Sequence, residues 1–182
     1  MIFIKSSHVF DYEWNLVSAA QWQKYPNDHS AHIQHVDVLD RRVDPETGIL
    51  ITERLLTVKH NVPKFFLKIL GTGETQFVRE VSTIDPKKKS FVLVSENLSL
   101  CNFMKCEEEI SYTALPGYPE KTQFTQKATM TVNKFLSRWE SLIEDFTVKR
   151  FNQNAQIGRE SVLSVLQRFV NMKETVKPGS SN

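Results

Sequence analysis

A long helix is predicted for residues 134–170, which read KFLSRWESLIEDFTVKRFNQNAQIGRESVLSVLQRFV. Asn133 is a favourable N-cap residue, and the next proline in the chain is Pro178. Because each helical residue turns by about 100°, two apolar stripes appear about half a turn apart. The first consists of Phe135, Trp139, Leu142, Ile143 and Phe146, and the second of Phe151, Ala155, Val162, Leu166 and Phe169. A helix that buries opposite faces in its two halves must be wrapped by other structure or bend, with Gly158 as the candidate for a bend.

Polar residues interrupt the first stripe. Arg150, Gln153 and Asn154 continue its line along the helix before Ile157 closes it. Two interpretations stay open: these side chains lie at an uncovered edge of the helix, or they form a polar site inside the protein.

The composition is that of one ordinary folded domain. The chain has 182 residues, with 40% hydrophobic and 24% charged residues. Its net charge of +2 and scattered basic residues predict no nucleic-acid partner. It contains no apolar run of about 18 residues, and its beginning resembles neither a signal peptide nor a transit peptide, so composition alone indicates the cytosol. We expect a domain over residues 1–175 and a disordered tail over 176–182.

The remaining pattern predicts an α+β fold. Apolar residues alternate from Ile2 to Phe10, which indicates a strand, and a short helix with Asp11 as its N-cap follows and ends near Pro26. Six more strands are predicted at about residues 33–43, 49–59, 74–84, 90–100, 103–114 and 122–132. Short connections make neighbouring strands antiparallel. We therefore expect a curved seven-stranded antiparallel sheet, closed by the long helix around a cavity.

Arg54 sits in the second strand of the predicted meander. It shares one strand face with Leu50, Thr52, Leu56 and Val58, and either face of this strand can look inward. If this face does, the buried guanidinium requires an anionic partner.

Residues 60–73 break the strand rhythm with a short apolar segment flanked by lysines. Two interpretations are open: a covering turn over the sheet, or a mobile lid that contacts a membrane interface. The residues predicted to make the lid contact are Val62, Pro63, Lys64, Phe65, Phe66, Leu67 and Lys68.

Signals for catalysis or metal binding are weak. His29, His32 and His35 would alternate between strand faces without acidic ligands nearby, so no metal site is predicted. Cys101 and Cys106 match no zinc or redox spacing and are interpreted as half-buried thiols, with a bridge across a hairpin as the alternative. Residues 107–109 are three glutamates, interpreted as a solvated edge with at least one carboxylate on each face. We expect no enzyme and no cofactor.

A ligand site is predicted from the remaining basic residues. Arg54 and Arg150, with Lys24 and His32 nearby, would suit a phosphate group, and the apolar lining would suit acyl chains.

Four segments in this order resemble the PRELI/Slowmo family of intramitochondrial lipid-transfer proteins. They are KYPN (24–27), VDVLDR (36–41), TERLL (52–56) and REVS (79–82). The resemblance runs from the first strand to about Val170, and HVFD (8–11) with Trp14 resembles the Slowmo branch.

The resemblance implies a fold similar to START and phosphatidylinositol-transfer domains. It also implies non-enzymatic, lid-gated transfer of phosphatidylserine between the outer and inner mitochondrial membranes, in the intermembrane space. The implied partner is a small twin-cysteine helical-hairpin protein that forms a heterodimer with the chain. The alternatives are transfer of phosphatidic acid, as in the PRELI branch, and a non-transferring interaction module of the same fold.

The resemblance also assigns residues. Family head-group positions map onto Lys24, Arg54 and Arg150, to which we add His32 and Asn154, and the lid maps onto residues 60–71. One position departs from the family pattern Asn-Ala-x-Lys-Gly, because residues 154–158 read NAQIG, with isoleucine in place of the lysine, and Arg159 follows the glycine directly.

Overall fold

The structure is a computed structural model, and it describes residues 1–59 and 73–175. The strands are β1 (Ile2–Phe10), β2 (Ile33–Val43), β3 (Leu50–Lys59), β4 (Thr75–Asp85), β5 (Ser90–Asn97), β6 (Met104–Leu115) and β7 (Tyr118–Val132). The helices are α1 (Trp14–Trp22) and α2 (Glu140–Thr175), and two 3₁₀ turns cover Asp28–Ser30 and Lys134–Trp139. The strand-helix-meander-helix order predicted from the sequence is confirmed.

All seven strands form one antiparallel sheet in the order β1-β7-β6-β5-β4-β3-β2. β1 and β2 follow each other in sequence but lie at opposite edges of the sheet. The connection between them, which contains α1, therefore crosses one face of the sheet. β2 pairs with β3 through two register shifts along its length. This arrangement confirms the predicted α+β fold.

The core lies where α1 and the second half of α2 meet the sheet. Its fully buried members include Phe10, Val17, Phe91, Leu93, Tyr112, Val162, Val165 and Leu166. Two hydrogen bonds tie α1 to β6: Trp14 Nε1 donates to the Tyr112 carbonyl at 3.0 Å, and the Tyr112 hydroxyl donates to Gln21 Oε1 at 2.9 Å. These buried hydrogen bonds hold α1 against the sheet. Because α1 lies in the crossing connection between β1 and β2, they also position the start of that connection.

The beginning of the long helix differs from the prediction. Asn133 does cap it, since its Oδ1 accepts a hydrogen bond from the Phe135 amide at 3.0 Å. Residues 134–139 form a 3₁₀ turn, however, in which the side-chain period is about three residues. Phe135 is 66% exposed and Leu142 is 58% exposed, so their assignment to the first buried stripe was wrong. The inward face is centred near Ile143, and Leu142 lies about 100° away from it.

The second stripe is confirmed, because its first four residues, from Phe151 to Leu166, are buried. The two halves of α2 do not bury opposite faces, which corrects the other expectation. The inward residues of the first half include Ile143 and Thr147, and those of the second include Val162 and Val165. On a wheel of about 100° per residue, these two faces differ by less than a quarter turn.

The start of α1 also corrects the sequence prediction. The N-cap position is Glu13, without a side-chain hydrogen bond, whereas Asp11 forms a salt bridge with Lys121 at 2.9 Å. The carboxylate predicted to cap the helix instead joins the chain to β7.

A buried ion pair joins two neighbouring strands of the sheet, β3 and β4. Arg54 and Glu80, on the paired strands β3 and β4, are only 6% and 5% exposed. Both Nε, at 2.6 Å, and Nη2 of Arg54 donate to Glu80 Oε1. Arg54 therefore faces inward, and the anionic partner that this orientation required is Glu80. On the opposite face of the same strands, Arg79 bonds Glu53 at 2.6 Å and Glu96 at 3.1 Å in an exposed network.

Replacing Arg54 with methionine should lower the free energy of unfolding by about 3–5 kcal/mol, because it leaves Glu80 buried without a partner. The matched change Arg79→Met, on the exposed face, should cost about 0–1 kcal/mol. Urea denaturation of both variants measures the difference. The double variant Arg54→Met with Glu80→Leu should recover much of the loss, and equal destabilisation by the two single changes would contradict the argument.

Candidate functional site

A cavity of about 340 Å³ lies between the sheet and the first half of α2. Its apolar lining comes from several strands and from α2, and includes Ile4, Ile33, Leu56, Val58, Val78, Leu93, Met104, Ala128, Met130, Ile143 and Phe146. A concave, mainly apolar space with a few polar groups is typical of a ligand site. In residues 1–59 and 73–175, no helix is both long and apolar enough to span a membrane.

Four of the predicted site residues line this cavity together: Lys24, His32, Arg150 and Asn154. Lys24 follows α1 in the crossing connection, and an added Cβ on Gly158 would lie 3.7 Å from its Nζ. The ammonium group therefore lies beside α2, at a distance that an added Cβ would meet as an ordinary van der Waals contact. For Arg150 and Asn154 the structure supports the polar site inside the protein, whereas Gln153 is exposed and lies at an uncovered edge of the helix.

Hydrogen bonds hold the crossing connection against α2. Asn27 Nδ2 donates to the Ser161 carbonyl at 3.2 Å and to Ser164 Oγ at 3.0 Å, and the hydroxyls of Ser30 and Ser161 are 2.8 Å apart. These contacts fix the segment between Lys24 and His32, so both basic side chains are positioned by the protein itself.

The electrostatic environment of His32 confirms that the cations lie near one another. Burial lowers the pKa of His32, and the positive charges of Lys24 and Arg150 lower it further. The neutral imidazole of His32 is therefore favoured, because Lys24 and Arg150 would repel a third positive charge.

Arg54 differs from the other predicted site residues. Its guanidinium donates to Glu80, and it is Glu80 that lines the cavity. Arg54 therefore acts on the cavity through the carboxylate that it holds. The predicted lid residues, Val62, Pro63, Lys64, Phe65, Phe66, Leu67 and Lys68, lie outside the described residues.

Acidic residues that were not predicted from the sequence also line the cavity, and they include Glu80 and Glu108, with the amide of Gln126 beside Glu108. Gln126 Nε2 donates to Glu108 Oε1 at 2.6 Å. Glu108 is half-buried because its side chain borders the cavity. Burial raises the pKa of its carboxyl group, and the hydrogen bond from Gln126 and the charge of Lys24 oppose that shift.

The glutamate run is divided by the alternation of β6. Glu107 and Glu109 face outward and pair with Lys105 at 2.8 Å and Lys127 at 2.9 Å, whereas Glu108 faces the cavity. The interpretation as an edge was wrong, since β6 lies between β5 and β7. The signal was available, because every second residue from Cys106 to Tyr112 points inward and Glu108 belongs to that set.

The departure at residue 157 changes the cavity wall. Ile157 lines the cavity, whereas Nη1 of Arg159 donates to Ser6 Oγ on β1 at 3.4 Å. Arg159, two positions later, therefore does not replace a basic residue at 157. Both cysteines are free thiols; Cys101 is exposed and Cys106 lines the cavity, so the bridge is not formed.

Comparison with known proteins shows which family the chain belongs to. Residues 15–173 match the PRELI-like family. This protein belongs to the PRELI-like family. The chain is 41% identical over 170 residues to "Protein UPS2, mitochondrial" of Saccharomyces cerevisiae, covering 93% of this chain and 74% of that protein. It is 36% identical over 160 residues to "Protein slowmo homolog" of Dictyostelium discoideum, covering 87% of this chain and 68% of that protein.

Solved structures confirm the fold of this PRELI-like protein. A START superfamily protein from Mycobacterium smegmatis matches with a TM-score of 0.55 at 11% identity, over 90% of this chain and 98% of that one. The Zhui aromatase/cyclase from Streptomyces sp. R1128 matches with a TM-score of 0.61 at 12% identity, over 93% and 95% of the two chains. The START-like architecture expected from the sequence is confirmed, and at these identities the likeness concerns the fold alone.

The two thiols should differ in reactivity. Burial raises the pKa of Cys106 from 9.0 to about 11, which lowers its thiolate fraction near pH 8 by about 100-fold. In the Cys101→Ser variant, alkylation by iodoacetamide should be slow until the protein is unfolded. In Cys106→Ser, the exposed Cys101 should react quickly in the native state. Intact-mass measurement over time gives both rates, and equally fast native reactions would place Cys106 elsewhere.

His32 should make stability depend on pH. Its pKa in the folded protein is lowered from 6.5, so the unfolded chain binds the proton more tightly. The free energy of unfolding should therefore fall as the pH drops below 6.5 and through the folded-state pKa. His32→Gln should reduce this slope, whereas His35→Gln, at an exposed position in the strand that begins just after His32, should leave it unchanged. Denaturation curves at a series of pH values test this, and identical slopes for all three proteins would refute it.

Proposed function

We propose that this protein binds one phospholipid in the cavity and transfers phosphatidylserine between the outer and inner mitochondrial membranes. It does so without catalysing a reaction and without a cofactor. The observation that carries the proposal is the pairing of an apolar cavity with the two cations Lys24 and Arg150, beside which the neutral imidazole of His32 lies. Acyl chains are stabilised by burial against apolar side chains, and a phosphate is stabilised by charge-assisted hydrogen bonds.

Membership of the PRELI-like family and the mitochondrial relative support the cellular part of the proposal. We place the protein in the intermembrane space, where a carrier must shield acyl chains from water. Residues 62–68 are proposed to act as the lid that contacts the membrane. The proposed partner is a small twin-cysteine helical-hairpin protein, which would stabilise the folded state by binding to it selectively.

Phosphatidic acid transfer is the second candidate, because the same cations suit a phosphate monoester. A non-transferring interaction module of the same fold is the third. Identification by mass spectrometry of the lipid that co-purifies with the protein separates these candidates. A stoichiometric phospholipid supports a carrier and its head group distinguishes the first two, whereas a cavity without lipid favours the module.

Replacing Arg150 with glutamate should slow the transfer of an anionic phospholipid between liposomes by at least about tenfold. The change places a negative charge in the cavity wall and removes a charge-assisted contact. Lys149→Glu is the matched control, since it makes the same charge change on the exposed face of the same helix turn. A thermal melt establishes that both variants are folded. Transfer at the wild-type rate by a folded Arg150→Glu variant would place the head-group site elsewhere.

A further inference from the structure

The charged side chains that line the cavity are not paired with one another. Lys24, Arg150 and Glu108 all border it, and none of the three forms a salt bridge within residues 1–59 and 73–175. Glu80, by contrast, is already held by Arg54. Among the described residues, the cavity therefore presents two cations and one carboxyl group that form no salt bridge, although Gln126 donates a hydrogen bond to the carboxyl group and the two cations lie over the rings of Tyr25 and Phe146.

Charged groups in a partly buried wall are unfavourable when they form no salt bridge. A charge removed from bulk water costs free energy unless an opposite charge or several hydrogen bonds compensate. A ligand that supplies the missing charges removes that cost. The unlike charges of the cavity wall are therefore complementary to a ligand that itself carries both signs.

We propose that Glu108 binds the ammonium group of an amine-containing phospholipid head group, while Lys24 and Arg150 bind its anionic groups. This assignment rests on the proposed function and specifies how one head group is distinguished from another. Phosphatidylserine carries one ammonium, one phosphate and one carboxylate, which matches one carboxylate and two cations. Phosphatidylethanolamine would leave one cation unpaired, and phosphatidic acid would leave Glu108 unpaired.

Gln126 positions the carboxyl group for this role. It is 4% exposed, borders the cavity, and donates from Nε2 to Glu108 Oε1 at 2.6 Å. Its own Oε1 has no hydrogen-bond partner among the described residues. The amide is thus committed to Glu108, and since β6 and β7 are paired along this stretch, the carboxyl group is held on a rigid part of the sheet.

The environment of Glu108 supports an incoming cation. Burial raises the pKa of its carboxyl group, and the charge of Glu80 adds to that shift, while the hydrogen bond from Gln126, the charge of Lys24 and a hydrogen bond from Ser95 oppose it. The carboxyl group of Glu108 therefore holds its proton more firmly than an exposed carboxyl group does. A bound ammonium would stabilise the carboxylate in place of that proton.

The test is transfer between liposomes by the full chain, with phosphatidylserine, phosphatidylethanolamine or phosphatidic acid as the cargo. Glu108→Gln should transfer the two amine lipids about tenfold more slowly, because it removes one charge-assisted contact, and should leave phosphatidic acid unchanged or faster. Glu109→Gln is the matched control, since it makes the same change one residue away on the outer face of β6. Glu108→Asp keeps the charge and should keep the preference for amine lipids.

The possible outcomes separate this assignment from the proposed function. An unchanged ratio of phosphatidylserine to phosphatidic acid transfer in Glu108→Gln would overturn the assignment alone. Equal loss of all three lipids in a variant with a normal thermal melt would also overturn it, since Glu108 would then support the cavity generally. A wild-type protein that transfers none of the three lipids would contradict the proposed function itself.

Discussion

The cavity depends on how one rigid helix is attached. The second half of α2 is fixed to the core through Val162, Val165 and Leu166, all fully buried, and through hydrogen bonds from Asn27 to Ser161 and Ser164. Because α2 is continuous from Glu140 to Thr175, its first half must follow the direction set by the second. That direction carries it across the sheet above side chains that do not fill the space beneath it. The space is therefore a consequence of where the helix is anchored.

Polar groups inside this protein fall into two classes. The buried charges of Arg54 and Glu80 compensate each other and connect β3 to β4, so this pair stabilises the fold. Lys24, Arg150 and Glu108 face the cavity and form no salt bridge within the part of the chain that the structure describes, so their charges are available to a ligand. The free-energy cost of burying a charge thus explains both the Arg54–Glu80 pair and the charged lining of the cavity.

The sequence predicted the architecture well because its signals were local and periodic. Period-two alternation marked the strands, and Pro116-Gly117, with Gly117 at φ +80°, marked the hairpin between β6 and β7. The prediction was poorer where the periodicity of an α-helix was applied to residues that form a 3₁₀ turn. The helical wheel was carried through the 3₁₀ turn at residues 134–139, so Phe135 was assigned to a buried face that it does not occupy.

The site was partly predictable for a similar reason. Arg150 and Asn154 were visible because polar residues interrupt an apolar stripe, and Lys24, His32, Arg150 and Asn154 do border one cavity. The pairing of Arg54 with Glu80 depends on the register between β3 and β4, and local sequence patterns do not specify that register. Glu108 was hidden for another reason: its two glutamate neighbours gave the segment the composition of a solvated surface.

The position of β2 has a consequence for solubility. An edge strand offers a row of backbone donors and acceptors to any other chain, and a long flat edge promotes aggregation. β2 is long, but it carries Asp37, Asp40, Arg41 and Arg42 at exposed positions, and its two register shifts interrupt a regular ladder. Charge and irregularity at this edge oppose sheet-to-sheet association between copies of the protein, so the sheet can remain open without becoming a template for fibres.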